Sequence, residues 1–183
     1  ILGGNFMDAP LSGNPVNASE GTLNVMAGGE EEVFDKFLPV LKAFSRNTFY
    51  EGGPGAGNVI KLANNYLSIL YITLYAEILP FVEKLGIDPK NVFDVVSVSG
   101  ANSAVFQLNA PKMINEKYDI SFLMDLGFKD LNYLKKIMDE NSSPTIMLDA
   151  GINLFKMAKC RGLGQNDISE VAEVMRDILS RKL

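Results

Sequence analysis

The spacing of apolar positions changes once along this chain, near residue 52. Upstream they come in short runs, so that 4–9 (GNFMDA), 22–27 (TLNVMA) and 47–51 (NTFYE) predict strands. Between the last two, 30–44 (EEEVFDKFLPVLKAF) repeats at helical spacing, with acids in the first turn where the helix dipole favours them. A strand–strand–helix–strand piece of this size cannot bury enough surface to fold alone. Downstream of the glycine cluster at 52–57 the period is helical throughout. It predicts helices over 58–85, 89–99, 103–115, 121–140, 144–161 and 168–182, and no further strand. Gly86 closes the first of these, Asp88 and Pro89 open the second, and Asp167 with Glu170 forms a capping pair for the last. The expected fold class is mainly α: an α/β remnant over 1–52, then an all-helical domain over 53–183 around one long buried helix.

Helix 58–85 is apolar on nearly every face and long enough to cross a bilayer. Lys61, Asn64, Asn65, Glu77 and Pro80 interrupt it, and charge at membrane depth is costly, so it reads as a core helix of a soluble protein. Pro80 removes a backbone donor and predicts a bend. So small a domain lacks the surface to surround such a helix, which predicts a second subunit against it, as a homodimer or homotetramer.

Composition narrows the chemistry. With 47% hydrophobic and 21% charged residues the chain is globular rather than disordered. Its net charge of −5 carries no basic footprint for nucleic acid. It has no histidine and a single cysteine, Cys160, which excludes histidine catalysis, an internal disulfide and a cysteine–histidine metal site. Proton transfer falls to Lys, Asp, Glu, Tyr or Cys. The opening ILGGNFMDAP lacks a basic leader region and reads as a loop entering a strand, so further sequence upstream and a cytoplasmic location are the expectation.

Lys61 lies one turn into the apolar helix with Asn65 four residues on, along the same face. A desolvated lysine exchanges its proton more readily, and an amide beside it can orient a substrate oxygen. The alternative is a lysine that reaches out to water past an exposed Asn65. The segment DAPLSGNP (8–15) would present Ser12, Gly13 and Asn14 at the carboxyl end of a strand, as a carboxylate nest or as an ordinary turn. GGPGAGN (52–58) leads into a helix N-terminus, either an anion site or a hinge, and is not a dinucleotide fingerprint. Lys129 and Asp130 stand together in a helix, where a solvated pair is the ordinary reading.

Taken in order, DAPLSGN, GTLNVMAGG, GPGAGNVIKLANN, Glu77, Ser99-Gly100 and KDL at 129–131 resemble the β-hydroxyacid dehydrogenases of 3-hydroxyisobutyrate dehydrogenase type. The resemblance covers essentially the whole chain. It implies that residues 1–52 end a truncated Rossmann domain, and that NAD or NADP is the cofactor, bound mainly by sequence upstream. It implies Lys61 as the catalytic lysine, Asn65 as the substrate-positioning amide, and Ser12 and Gly13 as the loop for a small carboxylate substrate. It implies Lys129 as a contact to cofactor and substrate. Asn14 stands where the family usually has a second glycine. The implied reaction is hydride transfer between NAD(P) and a small 3-hydroxy acid or its aldehyde, with the present chain inactive alone. Reduction of glyoxylate or succinic semialdehyde, a 6-phosphogluconate dehydrogenase-like enzyme, and a non-enzymatic dimerisation module are the alternatives. The second usually has histidine where Asn64 stands here, and imine reductases generally replace the lysine.

Overall fold

The computed structural model describes residues 4–180. They form two compact units, which divide by packing after Asn64, inside the long helix.

The first unit is built on one central strand. Its elements are β1 (Met7–Asp8), β2 (Leu11–Ser12), α1 (Pro15–Ser19), β3 (Leu23–Gly29), α2 (Glu31–Lys42) and β4 (Ser45–Gly52), followed by the opening turns of α3 (Ala56–Lys84). β1 pairs antiparallel with β3 as Asp8↔Gly28, and β2 continues the same register as Leu11↔Val25. The strand expected over 4–9 is therefore one longer run, interrupted where Pro10 has no N–H to donate. β4 lies parallel on the other edge of β3, with Val25↔Thr48, and α2 makes the crossover between them. Val25, Ala27, Phe34 and Leu41 form the core, with Met7, Ala9, Leu38 and Phe44 packed against it.

The second unit is helical: the remainder of α3, then α4 (Lys90–Ser97), α5 (Ala104–Asn115), α6 (Met124–Glu140), α7 (Ile146–Cys160) and α8 (Ala172–Ser180). Two 3-10 turns, Leu163–Gln165 and Ile168–Val171, precede α8, so the helix expected from 168 starts as the tighter form. α4 starts one residue later than expected, with Pro89 at the cap position and Asp88 before it accepting the Lys90 N–H at 2.8 Å, and Ser103 caps α5 through the Phe106 N–H at 3.0 Å. The core is drawn from every helix but α4, with Ile69 and Leu79 of α3, Phe106, Leu131, Phe155 and Val174 among its buried residues.

By length and composition α3 could cross a membrane. Its residues Ile69, Ile72, Ala76 and Leu79 are at most 5% exposed, which marks a core helix. The burial is one-sided: Leu67, Tyr71, Leu74, Ile78 and Phe81 are exposed. Beside that stripe a groove of about 690 Å³ is lined by apolar side chains of α3, α4, α5 and α8, among them Tyr75, Val96, Phe106 and Met175.

Two polar clusters pin the helices. Asp167 is fully buried and accepts hydrogen bonds from the Ser121 N–H (2.7 Å), the Ser121 hydroxyl (3.0 Å), the Ser169 N–H (3.1 Å) and Lys112 (3.0 Å). Burial pushes this carboxyl up, but the donors on Ser169, Ser121 and Lys112 outweigh it and hold it at about 2. Arg176 of α8 reaches Glu83 of α3 at 3.0 Å and the Met113 carbonyl of α5 at 2.7 Å.

Candidate active site

In the first unit the site begins with the β2–α1 turn. Ser12 ends β2 and is half-buried. Gly13 has φ +142°, and a Cβ there would come within 2.8 Å of Leu23, so the turn requires glycine. Asn14 caps α1 reciprocally: its side chain accepts the Asn17 N–H at 3.0 Å, and its own N–H donates to the Asn17 side chain at 2.9 Å. The amide at this position thus holds the turn in shape.

The same unit contains the start of α3, where the structure corrects one expectation. The helix N-terminus is not open to an external anion, because Asp8 fills it. One Asp8 oxygen accepts the Gly55 N–H at 2.6 Å and the other the Asn58 N–H at 2.8 Å. Asp8 is 6% exposed. The backbone around it is close: a Cβ on Gly57 would lie 2.2 Å from the Met26 carbonyl and 2.9 Å from Asp8, and one on Gly28 would lie 2.7 Å from Asp8. Helix and strand therefore meet backbone to backbone, with the Asp8 carboxylate between them. Lys61 follows in the second turn of α3 and is half-buried.

In the second unit Asn65 is buried, and its amide donates to Asp130 at 2.7 Å. This removes the reading of Asn65 as an exposed side chain. The other Asp130 oxygen meets the Lys129 ammonium at 3.2 Å. Lys129 is half-exposed and stands 5.7 Å from the centre of the Tyr133 ring. Asp130 is thus a hub between the amide and the ammonium.

Ser12, Gly13, Asn14 and Lys61 accordingly belong to one packed unit, and Asn65 and Lys129 are joined in the other. Lys61 and Asn65 share α3, four residues apart. Two contacts escape sequence reasoning, those of Asp8 with the start of α3 and of Asp130 with Asn65. The partners of Asp8 lie 47 and 50 residues away, and Asn65 lies 65 residues from Asp130. Only an acid at a strand end followed at a distance by a glycine-rich helix start hints at the first.

Comparison with known proteins gives the class. Residues 55–175 match the family described as the NAD-binding domain of NADP-dependent 3-hydroxyisobutyrate dehydrogenase, and residues 2–52 match the NAD-binding domain of 6-phosphogluconate dehydrogenase. The chain belongs to the β-hydroxyacid dehydrogenase family, whose cofactor is NAD(P).

Among relatives, it is 32% identical to 2-hydroxy-3-oxopropionate reductase of Escherichia coli, over 100% of this chain and 62% of that protein. It is also 32% identical to 2-(hydroxymethyl)glutarate dehydrogenase of Eubacterium barkeri, over 92% of this chain and 56% of that protein. The fold matches 3-hydroxyisobutyrate dehydrogenase from Salmonella typhimurium with TM-score 0.84 and 30% identity, over 93% of this chain and 60% of that one. The chain thus spans about six-tenths of the length of these relatives.

Proposed function

We propose that the protein carrying this chain is an NAD(P)-dependent dehydrogenase of a small 3-hydroxy acid, 3-hydroxyisobutyrate-like, acting in either direction between alcohol and carbonyl. The observation that carries the reading is the placement of Lys61 on a helix whose start is tied to the strand leading into Ser12 and Gly13. Ser12 and the Gly13 backbone receive the substrate carboxylate. Lys61 takes the hydroxyl proton as the carbonyl forms, and returns it in reduction. Asn65, oriented by Asp130, donates to the reacting oxygen. When bound, NAD(P) accepts or supplies the hydride.

The residues present fit only part of that cofactor. At the start of α3 the Gly55 and Asn58 amides serve Asp8 and the Ala56 amide donates to the Gly53 carbonyl, while the half-exposed Lys129 ammonium can meet an oxyanion of cofactor or substrate. Residues 1–183 alone are therefore expected to be inactive.

A second reading, reduction of an aldehyde acid, is favoured by the names of the relatives. They include 2-hydroxy-3-oxopropionate reductase and glyoxylate/succinic semialdehyde reductase 2 of Arabidopsis thaliana. The two readings share one requirement, a carboxylate near the reacting carbon. Assay of the full-length enzyme on 3-hydroxyisobutyrate, 2-hydroxy-3-oxopropionate, glyoxylate and 6-phosphogluconate decides among them. Preference for the phosphorylated sugar acid would overturn the short-substrate proposal.

The proposal extends to a soluble, cytoplasmic homodimer or homotetramer formed through the helical unit. The exposed stripe from Leu67 to Phe81 supports it, as apolar surface that a second copy would cover.

A further inference from the structure

We infer that Asp8 is a positioning residue for the reaction, one that sets where the Lys61 amine stands relative to the carboxylate-binding turn. This rests on the proposed function. Among the described residues Asp8 forms no ion pair with a lysine or arginine; its hydrogen-bond donors are the peptide N–H groups of Gly55 and Asn58 at the amino end of α3. A buried carboxylate without a cation is costly unless oriented dipoles meet it, and the end of a long helix supplies them. Both oxygens are engaged, so rotation of the carboxylate would break a bond on one side or the other.

The chain path gives this contact its leverage. Asp8 lies four residues before Ser12 on the same strand run, and Asn58 lies three residues before Lys61 on the same helix. Little chain separates the anchor from either functional group. The glycines at 28 and 57 remove the side chains that would otherwise hold strand and helix apart. A shift of α3 along β3 would carry Lys61 with it, and the Asp8 carboxylate is the polar contact that opposes such a shift. Misplacement of a reacting group by about 1 Å can cost about 10²-fold in rate.

The test uses the full-length enzyme with Asp8→Asn, which keeps the shape but sets an amide N–H₂ against one of the two peptide donors. The expected result is a fall in kcat of about 10- to 100-fold, with KM for the hydroxy acid within about threefold. The same substitution made on a Lys61→Ala background should have almost no further effect, because Asp8 acts through Lys61. A residue that only stabilises the fold would lower Tm yet leave kcat unchanged well below Tm, or would add its loss in full to that of Lys61→Ala; either result overturns the inference. Should Asp8→Asn fail to fold, Asp8→Ser, which retains one small acceptor, takes its place with the same expectations, and failure of both to fold assigns Asp8 to folding alone. Unchanged turnover in Lys61→Ala by itself would instead remove the parent reading of Lys61.

Discussion

Among the described residues the sheet unit and the helical unit each bury one carboxylate, and they satisfy it in opposite ways. Asp8 is held by two peptide N–H groups at the start of α3, close in sequence to the proposed chemistry. Asp167 is held by hydroxyls, peptide N–H groups and the Lys112 ammonium, and it joins the segment before α6 to the turn before α8. The first fixes the start of α3, which carries Lys61, on a strand; the second fixes helices to one another. Equal burial therefore does not mean equal consequence: loss of the first should appear in rate, and loss of the second in stability.

The sharpest way to break this comparison lies in the sheet unit. Lys61→Ala in the full-length enzyme is expected to cost at least about 10²-fold in turnover with its Tm little changed, as for the loss of a general acid–base group. Steady-state kinetics beside thermal denaturation check it.

In the helical unit, Asp167→Asn leaves several donors without a matched acceptor. It should lower unfolding stability by about 3 kcal/mol while kcat stays within about twofold, which urea denaturation and kinetics together would show. A related effect follows from pH. The Asp167 carboxyl is held at about 2 in the folded state against an ordinary value of 3.8, so its contribution is present above about pH 4 and is lost as pH falls through about 2. That contribution is on the order of 2 kcal/mol. Urea midpoints of the wild type between pH 5 and pH 2 should fall more steeply than those of Asp167→Asn.

The smallest expected effect is at the hub in the helical unit. Asp130→Ala releases both Asn65 and Lys129. It should cut kcat/KM by about tenfold and lower unfolding stability by about 1 kcal/mol, because the buried Asn65 amide and the Lys129 ammonium lose their shared acceptor. An unchanged kcat/KM would confine Asp130 to a surface role.

Much of the helical outline was legible in the sequence, because α4 through α7 follow the helical spacing of apolar positions, and Asp88 and Pro89 mark the start of α4. The five-residue α1 was not foreseen: Asn14 and Pro15 are a proper cap and first position, but so short a helix has no period to detect. Lys61 and Asn65 could be singled out, since a polar pair one turn apart stands out against an apolar helix. Their supports could not. Asp8 and Asp130 become informative only when strand pairing and helix packing bring distant segments together. The helix start at Gly55 looked like a site for an external anion because sequence spacing does not show that the chain supplies its own. One-sided burial of α3 was hidden for a similar reason, as an all-apolar helix does not reveal which face the chain itself covers.

The central claim is that the Lys61 amine carries the proton while hydride moves elsewhere. Chemical rescue tests it most directly: turnover of 3-hydroxyisobutyrate by full-length Lys61→Ala, measured with increasing methylamine. The account predicts a deep loss that the added amine restores in part, with saturation, and no effect of the same amine on the wild type. Turnover by Lys61→Ala equal to wild type before any amine is added would contradict it.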